Sequence, residues 1–320
     1  MAAAFALAGL GLVILLLAGD VLVKGAVNLS LRLGIPALIV SLTIVAFGTS
    51  APELLISVKA ILDGVPGLAL GNVVGSNTAN VLLVLGIPAV LSGLHAGSDT
   101  RQTYVVMIIG TLLFIALAFV GPFTWWHGLI LLSLLGYVLI DAARAAQAHR
   151  AAANGAAALP IDEDALEEAD PDMPWWRIAL YLGLGLIGLP LGADLLVDSS
   201  VAIATEYGVS ETVIGLTLVA IGTSLPELAT TVMAAIRNHA DVAMGNVIGS
   251  NMFNLLAIIG ISSLIGPIPV DATILSFDIW VMLAASLVLA PFVFLRWSLG
   301  RGVGVVFLAL YLGYIAVLLA

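Results

Sequence analysis

Apolar residues run through this chain in blocks of about twenty or more, separated by short polar connections, near 4–27, 36–62, 67–92, 102–121, 126–146, 175–200, 211–237, 242–266, 274–295 and 302–320. A helix needs about 20 such residues to cross the hydrocarbon core of a bilayer. The pattern predicts an all-α membrane protein with ten transmembrane helices. The third and eighth blocks are interrupted by Gly, Asn and Ser, which weakens their hydropathy without ending them. The first block lacks a positive n-region and has a counterpart further along, so it reads as a retained membrane helix, not a signal peptide.

The blocks repeat. Residues 46–86 and 220–260 align without a gap at an offset of 174, with 19 of 41 positions identical. The register extends upstream, pairing Gly34 with Gly208, Thr43 with Thr217 and Asp20 with Asp194. The expected organisation is a first five-helix repeat over 1–146, a connecting loop over 147–174 and a second five-helix repeat over 175–320. Five is odd, so the second copy must enter the membrane from the opposite side. Inverted-topology repeats place substrate sites near the midplane, at the repeat interface, which points to a transporter before any motif is interpreted.

Composition narrows the picture. The chain is 62% apolar and only 9% charged, more apolar surface than one soluble core of 320 residues hides. It has no cysteine, which excludes disulfides and thiolate metal sites. The net charge of −10 is largely local, since seven of the 20 acids lie between Asp162 and Asp172. No basic patch exists to bind nucleic acid. Of the ten cations, all except Lys59 fall on one side if both termini are outside, and the positive-inside rule makes that side cytoplasmic. The 147–174 loop is then cytoplasmic, with a solvated, short-helical or disordered character and no calcium-loop pattern. Trp125, Trp126, Trp175 and Trp176 stand at block ends as interfacial anchors.

The candidate chemistry sits where the repeated blocks are damaged. The second block carries "AFGTSAPE" and the seventh "AIGTSLPE". Pro52 lacks the N–H that would bond the Gly48 carbonyl, so a broken helix with released carbonyls around 46–49 is expected. In lipid such groups survive only where protein, water or a ligand satisfies them. Ala46, Thr49, Ser50 and Glu53 share one helical face, repeated by Ala220, Thr223, Ser224 and Glu227. The third and eighth blocks add polar stripes, Asn72, Ser76, Asn80 and Asn246, Ser250, Asn254. Gly71, Gly75, Gly245 and Gly249 form small-xxx-small contacts for a neighbouring helix. Every one of these ligands is an oxygen donor or an amide, the set that hard cations such as calcium take. A soft metal would call for His or Cys. The four histidines lie near loops and read as exposed. Two midplane acids call for a partner, and no Lys or Arg stands at their depth. Asn72, Asn77, Asn246 and Asn251 read as caps or cross-span bonds as readily as ligands. Asp20 and Asp194 read as helix-end or gating-helix packing groups.

These residues resemble a known family. "AFGTSAPE…GNVVGSNTANVLLVLG" and "AIGTSLPE…GNVIGSNMFNLLAIIG" look like the two alpha-repeats of the sodium/calcium exchangers, within the calcium/cation antiporter superfamily. The resemblance covers essentially the whole chain and implies a membrane antiporter, not an enzyme, with no cofactor and with calcium and sodium as cargo. It implies Glu53 and Glu227 as shared carboxylates of a calcium site completed by the Thr49 and Thr223 carbonyls. It assigns Ser50, Ser76, Ser224 and Ser250 to flanking sodium sites, with the carbonyls of Ala46 and Ala220, and sets Asn80 and Asn254 in the middle. The first and sixth spans would be the mobile pair. Asn254 stands where the potassium-dependent branch has Asp, which argues against potassium co-transport, and "GSN" favours sodium over the proton/calcium branch. That branch remains the nearest alternative, with a cation channel and an intramembrane hydrolase further off. The short connecting loop matches a prokaryotic-type exchanger of the inner membrane, working as a monomeric unit.

Overall fold

The computed structural model describes residues 2–95, 100–155, 170, 172–208 and 220–319. The apolar blocks become helices α1 (Ala2–Leu33), α2 (Ala37–Thr49), α3 (Ala51–Leu62), α4 (Pro66–Leu91), α5 (Thr100–Val120), α6 (Trp125–Gly155), α7 (Trp175–Glu206), α8 (Ala220–Gly222), α9 (Leu225–Ile236), α10 (Ala240–Ile265), α11 (Ile274–Phe294) and α12 (Arg301–Leu319). Among the described residues, eight helices are long and apolar enough to cross a membrane, and the bent pair α2 and α3 makes a ninth. The expected span over 211–237 falls partly outside the described residues, where α8 and α9 are its visible portion.

α1 and α7 are 32 residues each, longer than the expected 4–27 and 175–200. At 1.5 Å per residue each is about 48 Å long, against a hydrocarbon core of about 30 Å, so the pair must tilt or project. They lie antiparallel at very close range. A Cβ on Gly185 would stand 2.5 Å from that of Leu22, and one on Gly192 2.9 Å from the Leu15 amide nitrogen. Only glycine lets the two backbones approach this far. Arg32 caps the contact over the Trp175 ring, 5.5 Å from its centroid.

The centre belongs to α4 and α10. In their most apolar stretches 78% and 83% of residues are buried, against 22–44% in the other spanning helices. Each contains a π-helical stretch, Asn80–Val84 in α4 and Phe253–Ile258 in α10. Leu70, Val73 and Val74 on one helix and Val247, Ile248 and Leu256 on the other form the middle of the apolar core. Two small backbone pairings tie the ends: a strand pair β1 (Leu94–His95) with β2 (Ser298–Leu299), antiparallel, and an isolated bridge from Phe123 to Ile268. Leu94 and Ile268 are one repeat apart, so related positions are tied twice.

One boundary shifts and one expectation needs correcting. The connection expected over 147–174 begins as helix, since α6 runs on to Gly155. Its acidic run lies outside the described residues apart from Asp170, whose N–H donates to Asn28 Oδ1 at 3.0 Å. His127 is buried, not exposed. Its Nδ1 accepts from the Thr124 N–H at 3.1 Å, and its ring stacks on Trp126, so it serves the first turn of α6.

A candidate cation site shared by two halves

The same break occurs twice. α2 ends at Thr49, Ser50 takes φ −84° and ψ 2°, and α3 restarts at Ala51 with an axis bent by 42°. Ser224 takes φ −88° and ψ 5°, and α9 restarts at Leu225. Pro52 and Pro226 fall in the first turn of the new helix, where a missing N–H costs nothing. Glu53 and Glu227 therefore stand in the first turns of α3 and α9, both completely buried. The expected release of carbonyls is incomplete. The Ala46 carbonyl accepts from the Ser50 N–H at 3.0 Å and lies 3.3 Å from the Thr49 hydroxyl. In the second copy the Ser224 N–H turns to the Ile221 carbonyl instead, at 3.0 Å.

The two copies meet through side chains. Ser50 Oγ, from the first half, donates to Glu227 Oε1 at 3.2 Å, and Ser250 Oγ lies 3.4 Å from the same oxygen. The Thr49 hydroxyl lies 3.4 Å from that of Ser250 and donates to Asn246 Oδ1 at 3.3 Å. Ser76 and Thr223 line one cavity of about 420 Å³ together with Asn72. Of the residues expected at the site, Thr49, Ser50, Glu53, Ser76, Asn80, Ser224, Glu227, Ser250 and Asn254 are buried. Ala46 is buried too, while Ala220 is described only as the first residue of α8.

Asn72 and Asn246 are brackets. The Nδ2 of Asn72 reaches the Glu53 carbonyl at 3.5 Å and Ser57 Oγ at 3.3 Å. Asn246 does the same to the Glu227 carbonyl at 3.4 Å and Thr231 Oγ1 at 3.1 Å. The sequence reading overlooked Ser57 and Thr231. Their signal was a hydroxyl four residues beyond each glutamate, repeated at the 174-residue offset.

Several buried polar atoms here have no hydrogen-bond partner: Oε2 of both glutamates, Ser224 Oγ, Asn80 Oδ1 and both amide atoms of Asn254. Buried polar groups are nearly always paired, so such a concentration makes this a candidate ligand position. No group of three His, Cys, Asp or Glu side chains stands together among the described residues. The donors are two carboxylates supported by hydroxyls, amides and carbonyls, which suits a hard cation held largely by neutral oxygens.

The helices flanking the site are not arranged evenly. α1 packs against α9, where a Cβ on Gly19 would stand 3.0 Å from the Ala229 carbonyl, leaving Ala229 only 6% exposed. α7 makes no comparable contact with α3, and Leu55, the repeat counterpart of Ala229, is 71% exposed. On the closed side Asp20 of α1 pairs with Arg237 at the end of α9, and Lys24 Nζ lies 3.4 Å from the same carboxylate. Their repeat counterparts, Asp194 and Asp63, are both acids.

A polytopic helical protein, duplicated within one chain and closing a buried carboxylate pair between its halves, has the construction of an ion-coupled membrane transporter. The profile of the family described as Sodium/calcium exchanger protein matches residues 3–141 and 177–320, and the chain belongs to that family. It is similar to the inner membrane protein YrbG of Escherichia coli, 35% identical with 99% of this chain and 97% of that one covered. It is also similar to the sodium/calcium exchanger MaX1 of Methanosarcina acetivorans, 34% identical over 97% and 96% of the two chains. Among solved structures, the sodium-calcium exchanger NCX_Mj superposes with a TM-score of 0.81 at 32% identity, covering 98% of each chain.

Proposed function

We propose that this protein exchanges sodium for calcium across a prokaryotic inner membrane by alternating access, electrogenically and without potassium. The observation that carries the reading is the pair Glu53 and Glu227, buried and supported from both halves, with Ser50 of one half bonded to Glu227 of the other. Two carboxylates at the midplane are costly unless a cation neutralises them. One calcium ion or several sodium ions would do so, and competition for the same oxygens couples the two fluxes. An empty, doubly charged site should resist occlusion, which prevents uncoupled leak.

In this reading the ligands are Glu53, Glu227 and the carbonyls of Thr49 and Thr223 for calcium. Ser50, Ser76, Ser224 and Ser250, with the Ala46 and Ala220 carbonyls, serve sodium, and Asn80 and Asn254 stand between. Ten spans form two inverted five-helix repeats, 1–146 and 175–320, with both termini outside and the 147–174 loop cytoplasmic. One chain carries both halves of the site, so the transport unit is a monomer.

α1 and α7 form the mobile pair. α1 lies against α9 while α7 stands off α3, an arrangement closed on the cytoplasmic side and open on the other. The repeat supplies the opposite state by exchanging the roles of the two helices. The Asp20–Arg237 pair would hold only the present arrangement, because Asp194 and Asp63 cannot reproduce it. If three or more sodium ions move per calcium, the membrane potential contributes about 2.3 kcal/mol per net charge per 100 mV.

The test is calcium uptake into proteoliposomes driven by an outward sodium gradient, with a pH gradient as control. Uptake driven by sodium and accelerated by an inside-positive potential supports the reading. Uptake driven only by pH would transfer the protein to the proton/calcium branch, and uncoupled, non-saturating currents would make it a channel.

A further inference from the structure

Asn77 and Asn251 lie one repeat apart on the two central helices, each almost completely buried. They are bonded reciprocally. The Nδ2 of Asn77 donates to the Asn251 carbonyl at 3.1 Å, and the Nδ2 of Asn251 donates to the Asn77 carbonyl at 3.4 Å. Each side chain thus uses its amino group on the opposite backbone and keeps Oδ1 as an acceptor. On one side that acceptor is occupied, because Asn80 Nδ2 donates to Asn251 Oδ1 at 3.0 Å. The repeat-related bond would run from Asn254 Nδ2 to Asn77 Oδ1. Both of those atoms are buried and neither has a partner.

A terminal amide is a donor at one end and an acceptor at the other, so its orientation decides whether it attracts or repels a cation. With its amino group turned to Asn251, Asn80 has Oδ1 as its free acceptor, and that oxygen is buried and unpaired. We propose that Asn77 and Asn251 are positioning residues that aim the amides of Asn254 and Asn80 at the cation, one in each half of the transport cycle. In the arrangement seen, Asn251 holds Asn80. When α1 and α7 exchange roles, Asn77 holds Asn254 and Asn80 is released. The inference rests on the cation-site reading above, and it goes further by giving the amides a state-dependent orientation set by residues that touch no ion. Asn80 opens a π-helical stretch and Asn254 is the second residue of another. Wide turns of this kind are frequent at functional sites, and here they fall at the two residues whose orientation would change.

The experiment is a pair of double-mutant cycles on the full-length protein, read by calcium binding to purified protein and by exchange in proteoliposomes. Outer-shell partners of metal ligands typically contribute about tenfold to affinity. Asn251→Ala should therefore raise the calcium Kd and KM about tenfold while leaving turnover at saturating calcium within about twofold. In an Asn80→Ala background the same substitution should have no further effect, since an indirect role vanishes with the residue it acts through. Asn77→Ala and Asn254→Ala should couple in the same way. Additive effects in either cycle would overturn the proposal. Should the alanine variant fold poorly, Asn251→Asp keeps the acceptor for Asn80 and Asn251→Leu removes it. The difference in calcium affinity between Asp and Leu must then disappear in the Asn80→Ala background, and a difference of the same size there overturns the assignment. Wild-type protein that binds calcium without sodium-driven exchange would sink the functional reading while leaving the binding cycles valid. Additive cycles beside normal wild-type exchange would sink only the positioning role.

Discussion

Asp20→Asn should shift the balance between the two access states. In the arrangement seen, the Asp20 and Arg237 side chains are 16% and 18% exposed, so the pair is mostly but not fully withdrawn from solvent. Removing one partner of a fully buried pair costs about 3–5 kcal/mol, and an exposed pair is worth about 0–1. The residual exposure places this pair between those two cases. The expected cost is about 1.4–2.8 kcal/mol, a roughly tenfold to hundredfold change in the equilibrium. The opposite state loses only the Lys24 contact within α1, which both states share, because the positions corresponding to the Asp20–Arg237 pair are Asp194 and Asp63.

The chain has no cysteine, so single reporters can be introduced on a silent background. Leu55→Cys reports the open side, and Ala229→Cys reports the side that α1 now covers. With Asp20→Asn the labelling rate of a small thiol reagent at position 229 should rise about tenfold or more while the opposite state is still minor, and the rate at position 55 should fall only once that state holds a substantial share of the population. Asp194→Lys offers the reverse device, creating a partner for Asp63 and pushing the same way. Rates at both reporters unchanged within about twofold would refute the claim that this ion pair belongs to one state alone.

Glu53→Gln and Glu227→Gln should each abolish sodium-driven calcium uptake while size-exclusion profiles and melting stay normal, since each removes half of the charge at the site and no packing volume. Gly249→Ala should lower the melting temperature by several degrees, corresponding to about 1–3 kcal/mol of overpacking. Its Cβ would stand 2.6 Å from the Leu42 carbonyl and from the Ala46 side chain, whereas Gly313→Ala, with open space around it, should be neutral. Burial, and secondarily the neighbouring Arg237, holds the His239 imidazole below its usual pKa. The native state then takes up this proton less readily than the unfolded chain, so stability is retained above about pH 6.5 and declines as pH falls below it. His239→Gln should flatten that part of the melting-temperature profile.

Much of this was legible because duplication made the sequence its own control. A single "GTSAPE" reads as a kink, but a second glutamate at the same register cannot be dismissed as packing. The breaks at Ser50 and Ser224, and the place of both carboxylates in a first helical turn, follow from where proline can stand in a helix. The fate of the Ala46 carbonyl did not follow. Proline removes only the bond to Gly48, and the Ser50 N–H, two residues before it, keeps its ordinary helical bond to the Ala46 carbonyl. The burial of His127 was hidden for a similar reason. Position near a turn says nothing of the aromatic rings that Trp126 and Phe123 bring over it.

Least visible in the sequence is the unevenness of the two halves, and that unevenness carries the mechanism. Identical motifs would favour identical environments, yet Ala229 is covered while Leu55 is open. Asn80 is held while the repeat-related acceptor and donor stand apart. A chain built from two near-copies cannot satisfy both sets of contacts at once if one pair of helices, α1 and α7, must serve both. The arrangement seen pairs Asn80 with Asn251 and leaves Asn254 Nδ2 and Asn77 Oδ1 unpaired, and in the proposed cycle the opposite arrangement reverses this. Buried ion pairs and amide bonds of this kind each shift such a balance by only a few kcal/mol, a range that cation occupancy can exceed. In the proposed reading the motif residues hold the cation, and the positions where the copies differ, Arg237 against Asp63 above all, set which side the empty protein faces.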